Sequence, residues 1–520
     1  MATSHQLSFR FQTGVNFLRR HGCTAHSWQK DGLRWLLERE VKPQDSSLPR
    51  GGLLCDEMGL GKTIQILGLL AARPRSRTLI LLPPILVSQW LKYLGWLEED
   101  GLARVTHYTG QLLLPPSDRL PWIVVSTYSR LYSHQLKRKR PHRQPDLHTF
   151  CWSRLILDEC HRIRNPCTIT CREAFRLRSP IRWGLTGTPL HNSRKDLTTL
   201  FRFIGIQDFR VKTLTEHHLS GKHNSVFLRR LHENLPEMRE QLPQLLIKTH
   251  HVPFQSPEEE ECYIRVAGAV RRQFHILQRY TFNPTAYLEL LIRLQQASLH
   301  PQMSIKSYAR RYPEDQINDL LWEGTTTKMS TIVSLIKETP RERNIVFCQF
   351  RDEFKLLEVM FRRNGLSTLT LHGGSNKKQV LSQLHHAVSP YYLQHIFVNS
   401  HTVGWNDTIR DSMANLSCVW NLISEWTGDY INVLLLQNRV GGEGLNLQSF
   451  QHIYFTLPWW NPAMEDQAIA RCFRLGQKKD VHVHRIILQM TETEEVNDGK
   501  ESLTVMPENV QEVHPPIQTI

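Results

Sequence analysis

The chain has 520 residues, 40% of them hydrophobic, which is enough for more than one globular core and too apolar for a disordered chain. Lys and Arg number 64 against 49 Asp and Glu, a formal net charge of +15 that suits a polyanionic partner, nucleic acid first, although a merely soluble basic surface would give the same sum. No apolar run reaches the roughly 18 residues of a membrane span, no signal peptide is read, and the cysteines are scattered as reduced intracellular thiols would be.

Residues 1–21 carry Arg10, Arg19 and Arg20 with few acids and read as a basic arm or a first helix. From Ser27 to Leu37, Leu33, Leu36 and Leu37 recur at helical spacing. Gln29 stands near the start of that helix. It is either a surface amide or, ahead of a phosphate loop, a reader of the adenine edge.

The stretch Gly51 to Thr63 reads as strand, tight loop and helix. Gly59 and Gly61 sit where the backbone must turn and approach a ligand without a Cβ in the way. Lys62 and Thr63 open a helix continued by Ile64, Ile66, Leu67, Leu69 and Leu70. A helix start offers unpaired N–H groups and partial positive charge to a triphosphate. Lys62 would reach the β/γ-phosphates and the Thr63 hydroxyl would hold Mg²⁺. Asp56 occupies the place of the usual first P-loop glycine.

Thr78–Pro83 and Trp122–Tyr128 are continuous apolar runs of strand length with a helix between them, the mark of a doubly wound parallel sheet. Leu136 to Arg143 is the densest basic run, a nuclear-import signal, a phosphate-contacting loop or a solvated one. Leu155 to His161 reads as a buried strand ending in two acids. Asp158 would hold the metal and Glu159 would orient and deprotonate the attacking water. Cys160, His161, Cys167 and Cys171 match no common zinc spacing. Trp183–Pro189 ends a further strand in Thr186 and Thr188, placed to sense the nucleotide state.

Residues 251–340 read as a helical insertion or linker. A second α/β series runs from about 341 to 490, with strands at Asn344–Phe350, Thr368–His372, Val433–Leu436 and Ile453–Phe455. Gln467, Arg471, Arg474 and Gln477 make a polar row on the helix that follows, and arginines supplied across a cleft stabilise phosphoryl transfer. Residues 491–520 are acidic with scattered prolines and read as disordered.

Taken in order, Asp56-Glu-Met-Gly-Leu-Gly-Lys-Thr63, Asp158-Glu-Cys-His161, Leu185 to Asn192 and Gln467 to Gln477 resemble the motifs of Swi/Snf-type ATPases of helicase superfamily two, with Phe227-Leu-Arg-Arg230, His300-Pro301, Phe347-Cys-Gln-Phe350 and Trp459-Trp-Asn-Pro462 in agreement. The likeness is nearest the Rad-type repair and transcription-termination branch, and the compact size is similar to baculoviral global transactivators. The resemblance implies an α/β fold of two tandem RecA-like doubly wound parallel-sheet lobes with helical insertions, the first over residues 22–250 and the second over 341–490. It implies ATP and Mg²⁺ as cofactors and a nucleotide loop of Asp56, Glu57, Met58, Gly59, Leu60, Gly61, Lys62 and Thr63, joined by Gln29 and Gln467. Lys62, Asp158, Glu159, Arg471 and Arg474 would be catalytic; His161, Thr186, Thr188, Arg439 and Asn446 would couple the nucleotide to double-stranded DNA.

The implied activity is DNA-dependent ATP hydrolysis that drives translocation, remodelling nucleosomes or displacing DNA-bound proteins in transcription or repair in the nucleus. Three departures stand out: Cys160 in place of the usual Ala, Val380 in place of a common Arg, and an apolar insertion at about 385–430. The expected bracing helix after Glu495 is also missing from the pattern. They leave open two other readings, a catalytically weak interaction protein and a strand-separating helicase.

Overall fold

The computed structural model describes residues 2–41, 49–110, 120–132, 146–189, 194–206, 226–280, 284–309, 322, 324–339, 342–371, 433–437, 447–459, 462–474 and 476–490. The basic run at 136–143, the insertion at 385–430, Val380, Arg439, Asn446 and the 491–520 tail lie outside them.

Two parallel sheets carry the described chain. The first holds seven strands: β1 (Arg50–Leu54), β2 (Arg77–Leu82), β3 (Arg104–His107), β4 (Trp122–Thr127), β5 (Arg154–Asp158), β6 (Ile181–Leu185) and β7 (Phe227–Leu228). Their order is β3-β4-β2-β5-β6-β1-β7, every pairing parallel. Because β4 and β5 are buried along their whole length, they read as unbroken apolar runs rather than alternating ones. All seven strands end on one side of the lobe, so the loops after β1, β5 and β6 come together there. Crevices outside the carboxyl ends of parallel strands are where open α/β sheets bind ligands.

The second sheet holds β8 (Leu245–Pro253), β9 (Asn344–Cys348), β10 (Thr368–Leu371), β11 (Val433–Gln437), β12 (His452–Phe455) and β13 (Val481–Gln489), in the order β10-β11-β9-β12-β13-β8. The chain thus forms the α/β architecture of two parallel-sheet lobes. Residue 250, expected to close the first lobe, lies inside β8 of the second. Without β8 the nine residues of β13 would present an open edge of unpaired N–H and C=O groups, and β8 covers all nine. The crossing between lobes therefore precedes residue 245.

The N-terminal segment is a helix, α1 (Ala2–Arg20), and not an extended arm. Val15, Phe17 and Leu18 are buried in the first lobe's core, beside α2 (Ser27–Val41) and α3 (Lys62–Ala72). Between β8 and β9 in the chain, helices Pro257–Tyr280, Pro284–Leu299 and Pro301–Ala309 share a small core of their own around Val266, Ala269 and Leu290. Among the described residues no helix is long and apolar enough to cross a membrane.

Candidate functional site

The loop from Asp56 to Gly61 joins β1 to α3. Gly59 and Gly61 both have positive φ, 91° and 79°, and Gly61 is the left-handed N-cap of α3. A Cβ at Gly61 would come within 2.3 Å of Gln29 Nε2, so both conformation and space demand glycine there. Lys62 opens α3, and its ammonium folds back to donate to the carbonyls of Asp56 (2.7 Å) and Glu57 (3.3 Å).

The loop is tied down from three sides. Trp28 Nε1 and Gln29 Nε2 both donate to the Leu60 carbonyl, at 3.1 and 3.2 Å. The Gln29 oxygen accepts from the His26 N–H, which leaves one amide proton and one lone pair for a ligand. Met58 is buried and packs against Gly187, in the loop after β6. Arg230, just past β7, grips the fully buried Asp56 through both carboxylate oxygens and donates to Gln65 on α3 at 3.0 Å. Gln65 donates back to Asp56 at 3.0 Å. Asp56 is therefore an anchor of the loop, where glycine would leave Arg230 without its carboxylate partner. Glu57 accepts from the His232 N–H at 2.6 Å.

At the end of β5 both oxygens of Asp158 are held. Oδ2 accepts from the buried Trp90 indole at 2.7 Å and Oδ1 from the Glu159 N–H at 3.0 Å. Trp90 belongs to α4 (Val87–Glu99). Tyr128 donates its hydroxyl to the Asp158 carbonyl at 2.7 Å. Glu159 has φ 51°, the one positive-φ residue other than glycine among those described. Such backbone strain persists where the surroundings over-determine it, commonly at active sites. Burial, with the neighbouring Glu159 charge, pushes the Asp158 carboxyl up. Burial would also raise Glu159, but the close His161 imidazole, Lys62 and Arg471 outweigh it and hold Glu159 low. His161 Nδ1 lies 3.1 Å from the Thr186 hydroxyl and 3.3 Å from Glu159 Oε2, so the acid and the β6 loop meet at this ring. The Thr186 hydroxyl in turn accepts from the Thr188 N–H at 3.1 Å.

The second lobe supplies the opposite wall. Helix Pro462–Cys472 carries Gln467 and Arg471, and Arg474 follows it. A Cβ placed on Gly59 would come 3.3 Å from the Arg474 Cβ, and the Phe473 ring meets His232 edge-on at 6.3 Å between centroids. Arg474 thus lies against the phosphate loop, and Arg471 is close enough for its charge to act on Glu159. Thr188 Oγ1, Gln467 Nε2 and Arg474 Nε are buried without hydrogen-bond partners. These are donors of the kind a polyphosphate satisfies. A metal ion here would take oxygen ligands such as the Asp158 carboxylate and the Thr63 hydroxyl, a donor set suited to Mg²⁺. Among the described residues no group of three or more His, Cys, Asp or Glu side chains gathers that could hold a metal ion.

Sequence reading left Trp90, Tyr128, Arg230 and His232 without roles. Only Arg230 had a signal, the basic pair inside Phe227-Leu-Arg-Arg230.

The SNF2-related domain matches residues 28–303 and the helicase conserved C-terminal domain residues 420–476. The chain is 26% identical over 478 residues to the "Probable global transactivator" of Orgyia pseudotsugata multicapsid polyhedrosis virus, covering 88% of this chain and 85% of that protein. It is 26% identical over 517 residues to "DNA excision repair protein ERCC-6" of Mus musculus, covering 90% of this chain and 31% of the relative's length. Among solved structures, the Sulfolobus solfataricus SWI2/SNF2 ATPase core in complex with dsDNA matches with 21% identity and a TM-score of 0.35, over 90% of this chain and 88% of that one. The SNF2 match spans more than half of the chain, which thus belongs to the SNF2-related family of helicase-like ATPases.

Proposed function

We propose that this chain is a DNA-stimulated ATPase that moves along duplex DNA and displaces or repositions what is bound there. The observation that carries the reading is the meeting of Lys62, Glu159, Arg471 and Arg474 at one cleft, with buried donors left unpartnered around it.

Gln29 would bind the adenine, the loop N–H groups and Lys62 the phosphates, and Thr63 and Asp158 the Mg²⁺. Mg²⁺, when bound, neutralises charge on the phosphate oxygens. Glu159, kept ionised by its surroundings, would orient the attacking water and take its proton. Arg471 and Arg474 would stabilise charge on the transferred phosphoryl group from across the cleft. His161 would pass the state of that site to Thr186 and Thr188, and Arg439 and Asn446 would contribute DNA contacts from the second lobe. The protein would act in the nucleus, on nucleosomes or other DNA-bound proteins; relatives named for DNA excision repair and for transactivation support a role in repair or transcription.

The test is ATP turnover with duplex DNA, single-stranded DNA, nucleosomes and no nucleic acid. Duplex should stimulate, with an affinity that falls as salt rises and little sequence preference. A Lys62→Ala protein that kept full stimulated turnover would refute the assigned site. A tailed duplex that is unwound would favour a strand-separating helicase instead.

A further inference from the structure

Helix α3 has the nucleotide loop at its start. At its other end, about 16 Å away, sits a second basic cluster. Arg73 caps α3, Arg75 lies in the loop before β2, and Arg154 opens β5. All three converge on Glu40 of α2, which is fully buried. Arg154, also fully buried, takes both carboxylate oxygens at 2.6 and 2.7 Å. Trp183 adds an indole N–H at 3.1 Å. Arg75 is left with a 3.3 Å contact to Oε2 and Arg73 with one at 3.7 Å. Arg10 and Arg50 lie close enough to add repulsion, and the pKa values of Arg73 and Arg75 fall through burial and crowding by like charge.

One carboxylate thus serves three guanidinium groups. Arg154 NH1, Arg73 NH1 and Arg75 Nε are each buried without a hydrogen-bond partner. A single idle N–H is ordinary for arginine. Three on neighbouring guanidinium groups, around a carboxylate already saturated, leave both charge and donors uncompensated. The side chains of Arg73 and Arg75 keep 15% and 24% of their surface exposed, so the cluster opens to solvent on one side. The planar fork of arginine matches tetrahedral oxyanions.

We propose that Arg73, Arg75 and Arg154 form a phosphate-binding site at the amino-terminal edge of the first sheet, separate from the nucleotide loop. Its ligand is a phosphate dianion, free or carried on a nucleic-acid backbone. The site stands independently of the ATPase reading.

Thermal unfolding of the full chain tests it, with inorganic phosphate titrated against chloride at matched ionic strength. Lys62→Ala removes the main ligand of the nucleotide loop and isolates the second site. With phosphate about tenfold above its dissociation constant, Tm of that variant should rise by about 3 °C. Adding Arg73→Gln and Arg75→Gln should abolish the rise, and Arg73→Lys with Arg75→Lys should retain part of it. The lysine pair also controls for folding, since it keeps the charge around Glu40. A rise that survives the glutamine pair, or that Lys62→Ala alone removes, overturns the proposal. In a parallel arm, a short DNA duplex that protects with the same dependence on Arg73 and Arg75, where free phosphate does not, would assign the phosphate to a nucleic-acid backbone.

Discussion

The two lobes share a parallel-sheet plan, and among the described residues buried imidazoles in the sheet set the second apart from the first. In the first, buried carboxylates sit at the ends of strands or helices, each bound to a fixed donor: Asp56 to Arg230, Asp158 to Trp90 and Glu40 to Arg154. In the second, the sheet itself carries buried imidazoles, and the cations directed at the cleft come from one helix and the turn after it. The first lobe is a preset cradle whose loop is fastened from several sides. The second brings charge to that cradle. Holding a nucleotide and cleaving it should therefore separate by lobe.

Arg471→Ala tests that separation most severely. Arginines supplied across a cleft are worth roughly 10³–10⁵ in phosphoryl-transfer rate, so turnover should fall by about 10³ or more. Nucleotide affinity, set mainly by the first lobe, should change far less. A variant with near-normal turnover, or one that fails to bind nucleotide at all, would break the comparison. On stability, Arg230→Met should cost about 3–5 kcal/mol, because it strands the buried Asp56 carboxylate without its cation. The loss should appear in denaturant unfolding of the first lobe. Adding Asp56→Asn, which removes the stranded charge, should recover much of it.

Trp90→Phe is a finer probe of the same lobe. It keeps an aromatic ring in a fully buried position and removes one N–H from Asp158 Oδ2. A hydrogen bond to a charged group is worth about 1.5–3 kcal/mol. The expected result is a loss of that order in stability, together with a higher Mg²⁺ concentration for half-maximal nucleotide binding. An unchanged Mg²⁺ requirement would make Trp90 a packing residue only.

The elements around the cleft were legible because their signals are local. Helix α3 begins at Lys62, where the glycines and the apolar spacing put it, and the buried strands β2, β4 and β5 follow unbroken apolar runs. What escaped depends on partners far along the chain. Asp56 meets Arg230 across 174 residues, and β8 finds β13 across more than 200. Nothing near Leu245 announces that pairing, because β8 is a largely exposed edge strand without a continuous apolar run. Similarly α1, with a polar composition and a short buried stretch around Val15, Phe17 and Leu18, looks like an arm until α3 is placed beneath it. The motifs offered the candidates for the site. The ties that hold them, through Trp90, Tyr128 and His232, exist only in three dimensions.

The smallest expected effect concerns the imidazoles of the second sheet. His452 Nε2 faces the Glu342 carboxylate and must donate to it, which leaves Nδ1 to accept. His484 Nε2, 3.1 Å away, is then the donor, and His484 Nδ1 accepts from His250 Nε2 at 3.0 Å. One carboxylate thus fixes three tautomers across β12, β13 and β8. The His484 ring also stacks on Tyr454, with 4.6 Å between centroids. Burial first, then His452, His250, His482 and Lys248, depress the His484 pKa to about 3. A second proton on that ring would set its Nδ1–H against the His250 N–H. Because the folded value is lowered, stability is present above the unfolded pKa near 6.5 and drains away as pH falls below it. His484 alone should cost about 1 kcal/mol between pH 6.5 and 5.5, felt in the second lobe while the first lobe's ion pairs stay intact. Unfolding followed at pH 7.5, 6.5 and 5.5 should show that slope, and His484→Phe, which keeps the stack on Tyr454, should flatten it by about one proton. If the phenylalanine variant keeps the full slope, the acid sensitivity resides outside this ladder and the contrast between the lobes loses its basis.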